Sequence, residues 1–141
     1  MLADVSVFKL ELKDLLQGIP CVVAAWEGGS AATGYLDEYS DLDLGIAIQG
    51  ESADIVFTTL DEWFELKQGI ARKFRMPEPA WHGMSQCFYL LHGMPPCFYC
   101  DICVVDSANP HKFTEPDRHG HAVVWFDPQG VIGTGFTPEV S

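Results

Sequence analysis

Basic residues are scarce in this chain: 8 Lys and Arg stand against 20 Asp and Glu in 141 residues, for a formal net charge of −12. A nucleic-acid binder needs a basic surface that displaces counterions from phosphates, so this balance argues against DNA and RNA as partners. It favours cations instead, because an acidic surface steers Mg²⁺ and polycationic small molecules toward itself. Long apolar runs are also missing. No stretch approaches the ~20 apolar residues of a membrane span, and the N-terminus has neither the basic flank nor the unbroken apolar segment of a signal peptide. The expectation is a cytoplasmic protein with no membrane contact. Repeats, linkers and low-complexity segments are absent, and the odd count of five cysteines is best read as reduced thiols without a disulfide framework.

What remains is a composition suited to a core. With 48% hydrophobic and 20% charged residues, the chain has the apolar surface that a disordered segment lacks. Its length suits one domain, 1–141, which at that size buries about 70% of the surface the unfolded chain exposes.

Hydrophobic periodicity places the elements. Phe8, Leu12, Leu15 and Leu16 predict an amphipathic first helix, with Ser6 as its cap and Gly18-Ile19-Pro20 as its stop. Cys21–Trp26 is a short apolar run between Pro20 and Gly28-Gly29, the pattern of a buried strand, and a glycine turn and short helix follow. From Asp41 to Ile48 the chain alternates: Leu42, Leu44, Ile46 and Ile48 point to the core, while Asp41, Asp43, Gly45 and Ala47 take the other face. Ser52 to about Gln68 reads as a second long helix ended by Gly69, with a short strand at 70–74 and a loop to residue 85 after it. Gln86–Leu91 and Cys97–Val105 predict a hairpin around His92-Gly-Met-Pro-Pro96, and residues 122–132 a smaller one around Asp127-Pro-Gln-Gly130. The fold class expected is α/β (α+β), a mixed sheet with helices mainly on one face.

Residues two apart on a strand share a face with Cα atoms about 6.6 Å apart, so Asp41 and Asp43 can flank a pair of Mg²⁺ ions. Two-metal sites set their ions ~3.5–4 Å apart between such carboxylates. Gly28-Gly29 permits close backbone approach, and Ser30 at a helix N-terminus offers a hydroxyl and backbone N–H groups to an anion. A tight turn with Ser30 as a plain N-cap is the simpler alternative for that segment. Asp101 lies in the apolar run Phe98–Val105, where an unpaired charge would be costly, so it belongs at the metal site or in an ion pair. From an adjacent strand it could activate an attacking hydroxyl.

Gly29-Ser30, ten intervening residues, Asp41-Leu42-Asp43-Leu44 and a later Asp101 flanked by apolar residues resemble the nucleotidyltransferase superfamily that includes DNA polymerase β. The fuller pattern Gly-Gly-Ser-x-x-x-Gly-x-x-x-x-x-Ser-Asp-x-Asp-Leu is similar to its small-substrate branch, the aminoglycoside and lincosamide nucleotidyltransferases and the minimal nucleotidyltransferases of toxin–antitoxin pairs. The resemblance covers roughly residues 20 to 106. It implies that Asp41, Asp43 and Asp101 bind two Mg²⁺ ions and serve catalysis, that Gly29 and Ser30 hold the triphosphate of ATP or another NTP, and that an NMP passes to a hydroxyl of a small-molecule acceptor. Ala31 stands where that family often has Arg or Lys, so triphosphate binding would rest on Mg²⁺ and backbone donors. No separate helical acceptor domain is expected, which leaves the acceptor to the 70–96 region, to a second copy in a homodimer or to another protein. Two further readings stay open: an antitoxin that adenylylates a partner protein, and a non-catalytic nucleotide- or partner-binding module.

Other signals are weaker. On a strand, Cys97 and Cys103 face one way and Cys100 the other, so their spacing does not make an iron–sulfur ligand set. His111, His119 and His121 near Asp117 match no strong Zn²⁺ pattern. Trp81 in its loop is the tryptophan to consider for adenine or substrate contact, and Tyr35 and Tyr39 flank the acids.

Overall fold

Phe8, Leu12 and Leu16 recur one turn apart, and all three are buried on the inner side of helix α1, Val5–Gln17. The structure, a computed structural model, describes residues 4–28, 42–50, 53–77, 85–95, 98–107 and 123–130. Asp4, not Ser6, caps α1: its Oδ1 accepts hydrogen bonds from the backbone N–H of Ser6 at 2.9 Å and of Val7 at 3.2 Å. The short carboxylate leaves Asp4 extended and faces the positive end of the helix dipole, which places the start two residues earlier than the expected cap.

Strand β1, Val22–Glu27, and strand β2, Leu42–Ile48, pair antiparallel. Helix α2, Ala53–Lys67, follows, burying Val56, Phe57, Leu60 and Phe64. Gly69, at φ +86°, turns the chain from α2 into β3, Ile70–Arg75, a backbone conformation that other residues rarely adopt. Strands β4, Ser85–Leu91, and β5, Cys100–Asp106, form the expected antiparallel hairpin, and β6, Val123–Phe126, ends in a turn at Asp127–Gly130. The second arm of the expected smaller hairpin, residues 131–132, lies outside the described residues; β6 pairs antiparallel with β1.

Among the described residues the result is a mixed six-stranded sheet in the order β3-β4-β5-β2-β1-β6, in which β2 and β5 are the one parallel neighbouring pair. Among the described residues both helices pack on one face. There Phe8, Leu12 and Leu16 of α1 and Phe57, Leu60 and Phe64 of α2 meet Leu42, Leu44, Ile46 and Ile48 of β2 together with Tyr89 and Ile102. Aromatic rings tie these layers, Phe8 to Phe64 at 6.1 Å and Phe64 to Tyr89 edge-on at 4.7 Å. The expected fold class, an α+β arrangement with a mixed sheet, is the one observed. No described helix is long and apolar enough to cross a membrane.

Candidate functional site

Alternation puts every second residue of β2 away from the helices, and Asp43 is one of them. Its neighbour in the sheet is Asp101. The parallel register of β2 and β5 pairs these two aspartates directly, so their side chains leave the same face from strands about 4.8 Å apart. Both are half-buried. Two carboxylates so placed repel one another unless a cation lies between them, and as hard oxygen donors they suit Mg²⁺. Among the described residues no group of three or more His, Cys, Asp or Glu side chains comes together, so the carboxylates here number two. Asp41, Gly29 and Ser30 lie outside the described residues, as do Ala31, Tyr35, Tyr39, Trp81, Cys97, His111, Asp117, His119 and His121.

The pair belongs to a row that crosses the sheet. Phe74 on β3 pairs with Phe88 on β4, Phe88 with Asp101, and Asp101 with Asp43. At the far end the Gly28 N–H donates to the Asp43 carbonyl at 2.9 Å, so Gly28 abuts the second aspartate. The order along the row is aromatic, aromatic, acid, acid, glycine.

Three residues beyond the expected set hold this arrangement. Gln86 Nε2 donates to Asp101 Oδ1 at 2.8 Å, fixing one carboxylate oxygen. Trp26 lies flat over Gly45 in the next row: a Cβ on that glycine would sit 2.2 Å from the indole ring, so only glycine admits it. Trp26 is buried with Val23, Ala24, Ala47 and Val105 in a second, smaller apolar cluster on this face. Glu27, on the helix side, is buried yet charged, and it bonds Lys9 Nζ at 2.7 Å and Trp125 Nε1 at 3.2 Å, which fastens the end of β1 to α1 and β6 just before Gly28. An acid ending an apolar run was the sequence signal for Glu27. Nothing local marked Gln86, because its partner is remote in the chain.

Beneath the row, on the helix side, Asp61 of α2 ties two strands to the helix. The Tyr89 hydroxyl donates to Asp61 Oδ1 at 2.7 Å, and Lys73 Nζ bonds Asp61 Oδ2 at 2.6 Å. Burial, and then the bond to Asp61, pushes the Tyr89 phenol well above its ordinary range, while burial raises the Cys87 thiol. Cys100 is buried in the helix-side core and Cys103 packs against the smaller cluster opposite, so these two thiols do not converge.

No protein-family model matches this sequence, and no curated protein matches it closely enough to count as a relative.

Proposed function

We propose that the chain is a Mg²⁺-dependent nucleotidyltransferase that moves an NMP, AMP in the first instance, from an NTP to a hydroxyl of a small-molecule acceptor. The observation that carries this reading is the in-register pairing of Asp43 with Asp101 on the sheet face away from the helices, with the Gly28 amide on the backbone of Asp43. Asp43 and Asp101, with Asp41 from the sequence, are the residues that would hold the metal. Bound Mg²⁺ would supply neutralisation of the charge that develops as the α-phosphate is attacked.

The chain's own residues have separate tasks in this scheme. Asp101, oriented by Gln86, is placed to accept the proton of the acceptor hydroxyl. Glu27 is held by Lys9 and Trp125, and Gly29 and Ser30, which follow it in the sequence, would offer backbone N–H groups to the triphosphate. Aminoglycosides and lincosamides are the acceptors that the sequence resemblance suggests.

Calorimetry of Mg²⁺-ATP with the wild type and with Asp43→Asn and Asp101→Asn tests the assignment. The expected outcome is wild-type binding weakened at least tenfold in each variant. Absent binding, or equal binding in all three proteins, would refute it.

A further inference from the structure

The row that contains the carboxylate pair has two unlike ends, and their chemistry assigns a place to each substrate. This inference rests on the nucleotidyl-transfer reading. On one side of Asp43 lies Gly28, the first residue of the sequence Gly28-Gly29-Ser30. On the opposite side, past Asp101, come Phe88 and Phe74. Transfer at the α-phosphate proceeds in line: the acceptor O–P bond forms opposite the P–O bond that breaks. Pyrophosphate leaves with that bonding pair, and the acceptor hydroxyl gives its proton to Asp101. With the leaving group toward Gly28, the acceptor must lie over β5, β4 and β3.

That region is already shaped. A shallow depression of about 490 Å³ opens there, within the size range of small-ligand sites, and its walls include Arg72, Phe74, Phe88, Leu90 and Tyr99. Phe74 is 58% exposed, Tyr99 38% and Leu90 37%, so three large apolar side chains gather at the surface on one patch. Isolated exposed apolar residues are ordinary, but a contiguous group beside a polar row marks a binding surface.

Local charge decides what kind of molecule fits. The segment Ile70–Arg75 carries Arg72, Lys73 and Arg75, three of the chain's 8 Lys and Arg. Lys73 is bound to Asp61 at 2.6 Å and Arg75 to Asp54 at 3.2 Å, both on α2, while Arg72 shares the face of Phe74 at the rim of the depression. The chain as a whole attracts polycations, yet the wall beside the acids presents a guanidinium and aromatic faces. We infer that the acceptor is a hydroxylated molecule with a flat apolar body and no net positive charge, seated on Phe74, Phe88 and Tyr99 beside Arg72. An aminoglycoside, a compact polycation with no apolar face, is the wrong shape and charge for this wall.

Saturation-transfer NMR and fluorescence titration with three probes test the assignment: methylumbelliferyl glucoside, the anionic methylumbelliferyl glucuronide, and the polycation kanamycin. Wild type is expected to bind both flat probes at millimolar concentration and kanamycin more weakly. Phe74→Ala, a surface change, should weaken both flat probes at least fivefold. Arg72→Glu should weaken the glucuronide more than the glucoside and strengthen kanamycin, with circular dichroism unchanged in both variants. Failure of both flat probes to bind, or tighter binding of kanamycin by the wild type, overturns the inference. Mg²⁺-ATP calorimetry on the same proteins separates the two levels. Flat-probe binding without Mg²⁺-ATP binding would sink the transferase reading and the acceptor role with it; Mg²⁺-ATP binding without flat-probe binding would sink the acceptor assignment alone.

Discussion

Gln86 Nε2 donates to Asp101 Oδ1 at 2.8 Å and so restrains the carboxylate beside Asp43 across the strand pair. A metal site depends on such outer contacts, since a ligand free to rotate loses affinity even when it is present. Gln86→Leu removes the donor while keeping much of the bulk. The expected result is a Mg²⁺ concentration for half-maximal ATP binding raised several-fold, with the thermal midpoint moved little; an unchanged Mg²⁺ requirement would show that Gln86 does not position the site. Asp43 itself was readable from alternation, because one side of Leu42–Ile48 is wholly aliphatic and the acid falls on the other. Gln86 was not readable, since a glutamine in a strand carries no local signal of its partner.

The element that does most to shape the site is β2. Its helix-facing residues, Leu42, Leu44, Ile46 and Ile48, are each at most 2% exposed, so the register of the strand is fixed by burial: a slip of one residue would turn the aliphatic row out and the acids in. On the other face Gly45 leaves the space that Trp26 fills. Gly45→Ala must displace a large buried ring, and it should cost about 1–3 kcal/mol, as overpacking does in other cores. Chemical denaturation measures that loss. Because Trp26 sits one row from Asp43, the same variant should also weaken Mg²⁺-ATP binding. Element positions followed closely from periodicity, with most boundaries within one or two residues of the expected ones. The cap of α1 differed because Asp4 already accepts from the N–H groups of Ser6 and Val7, so the helix starts at Val5 and Ser6 falls inside its first turn.

At the scale of the whole molecule, the core between helices and sheet is most stable with two buried groups of β4, the Tyr89 phenol and the Cys87 thiol, neutral. Tyr89 and Cys87 both have folded-state pKa values above their unfolded ones. The stability they contribute is complete below the unfolded values, about 8.5 for a thiol and about 10 for a phenol, and it is lost as pH rises, because the unfolded chain releases these protons first. The slope approaches about 1.4 kcal/mol per pH unit for each group once its unfolded form has ionised. Urea midpoints between pH 8 and pH 11 should therefore fall, and Cys87→Ala should remove the part of the decline that begins near pH 8.5. A flat profile in the wild type would contradict the burial of these groups. The net charge of −12 acts in the same direction, since it is already one-sided at neutral pH and grows as these groups ionise.

The sequence by itself determined the class of fold, the positions of the elements and the face of β2 that carries Asp43, because these follow from local periodicity and from the cost of burying a charge. Asp101 stood out for the same reason, as a charge in an apolar run with no place in a core. Only the tertiary structure decided that the two acids are neighbours in register, since parallel pairing of β2 with β5 joins segments separated by α2, β3 and β4, and no local pattern encodes that register. It also decided what lies on either side of them, glycine backbone on one hand and an aromatic wall with Arg72 on the other, because strand order sets which side chains share a row. Whole-chain charge suggested a cationic acceptor. Under the proposed transferase reading, the placing of Arg72 beside Phe74 and Phe88 favours an uncharged or anionic one, because electrostatic attraction at a site is governed by the nearest groups and screened beyond about 10 Å.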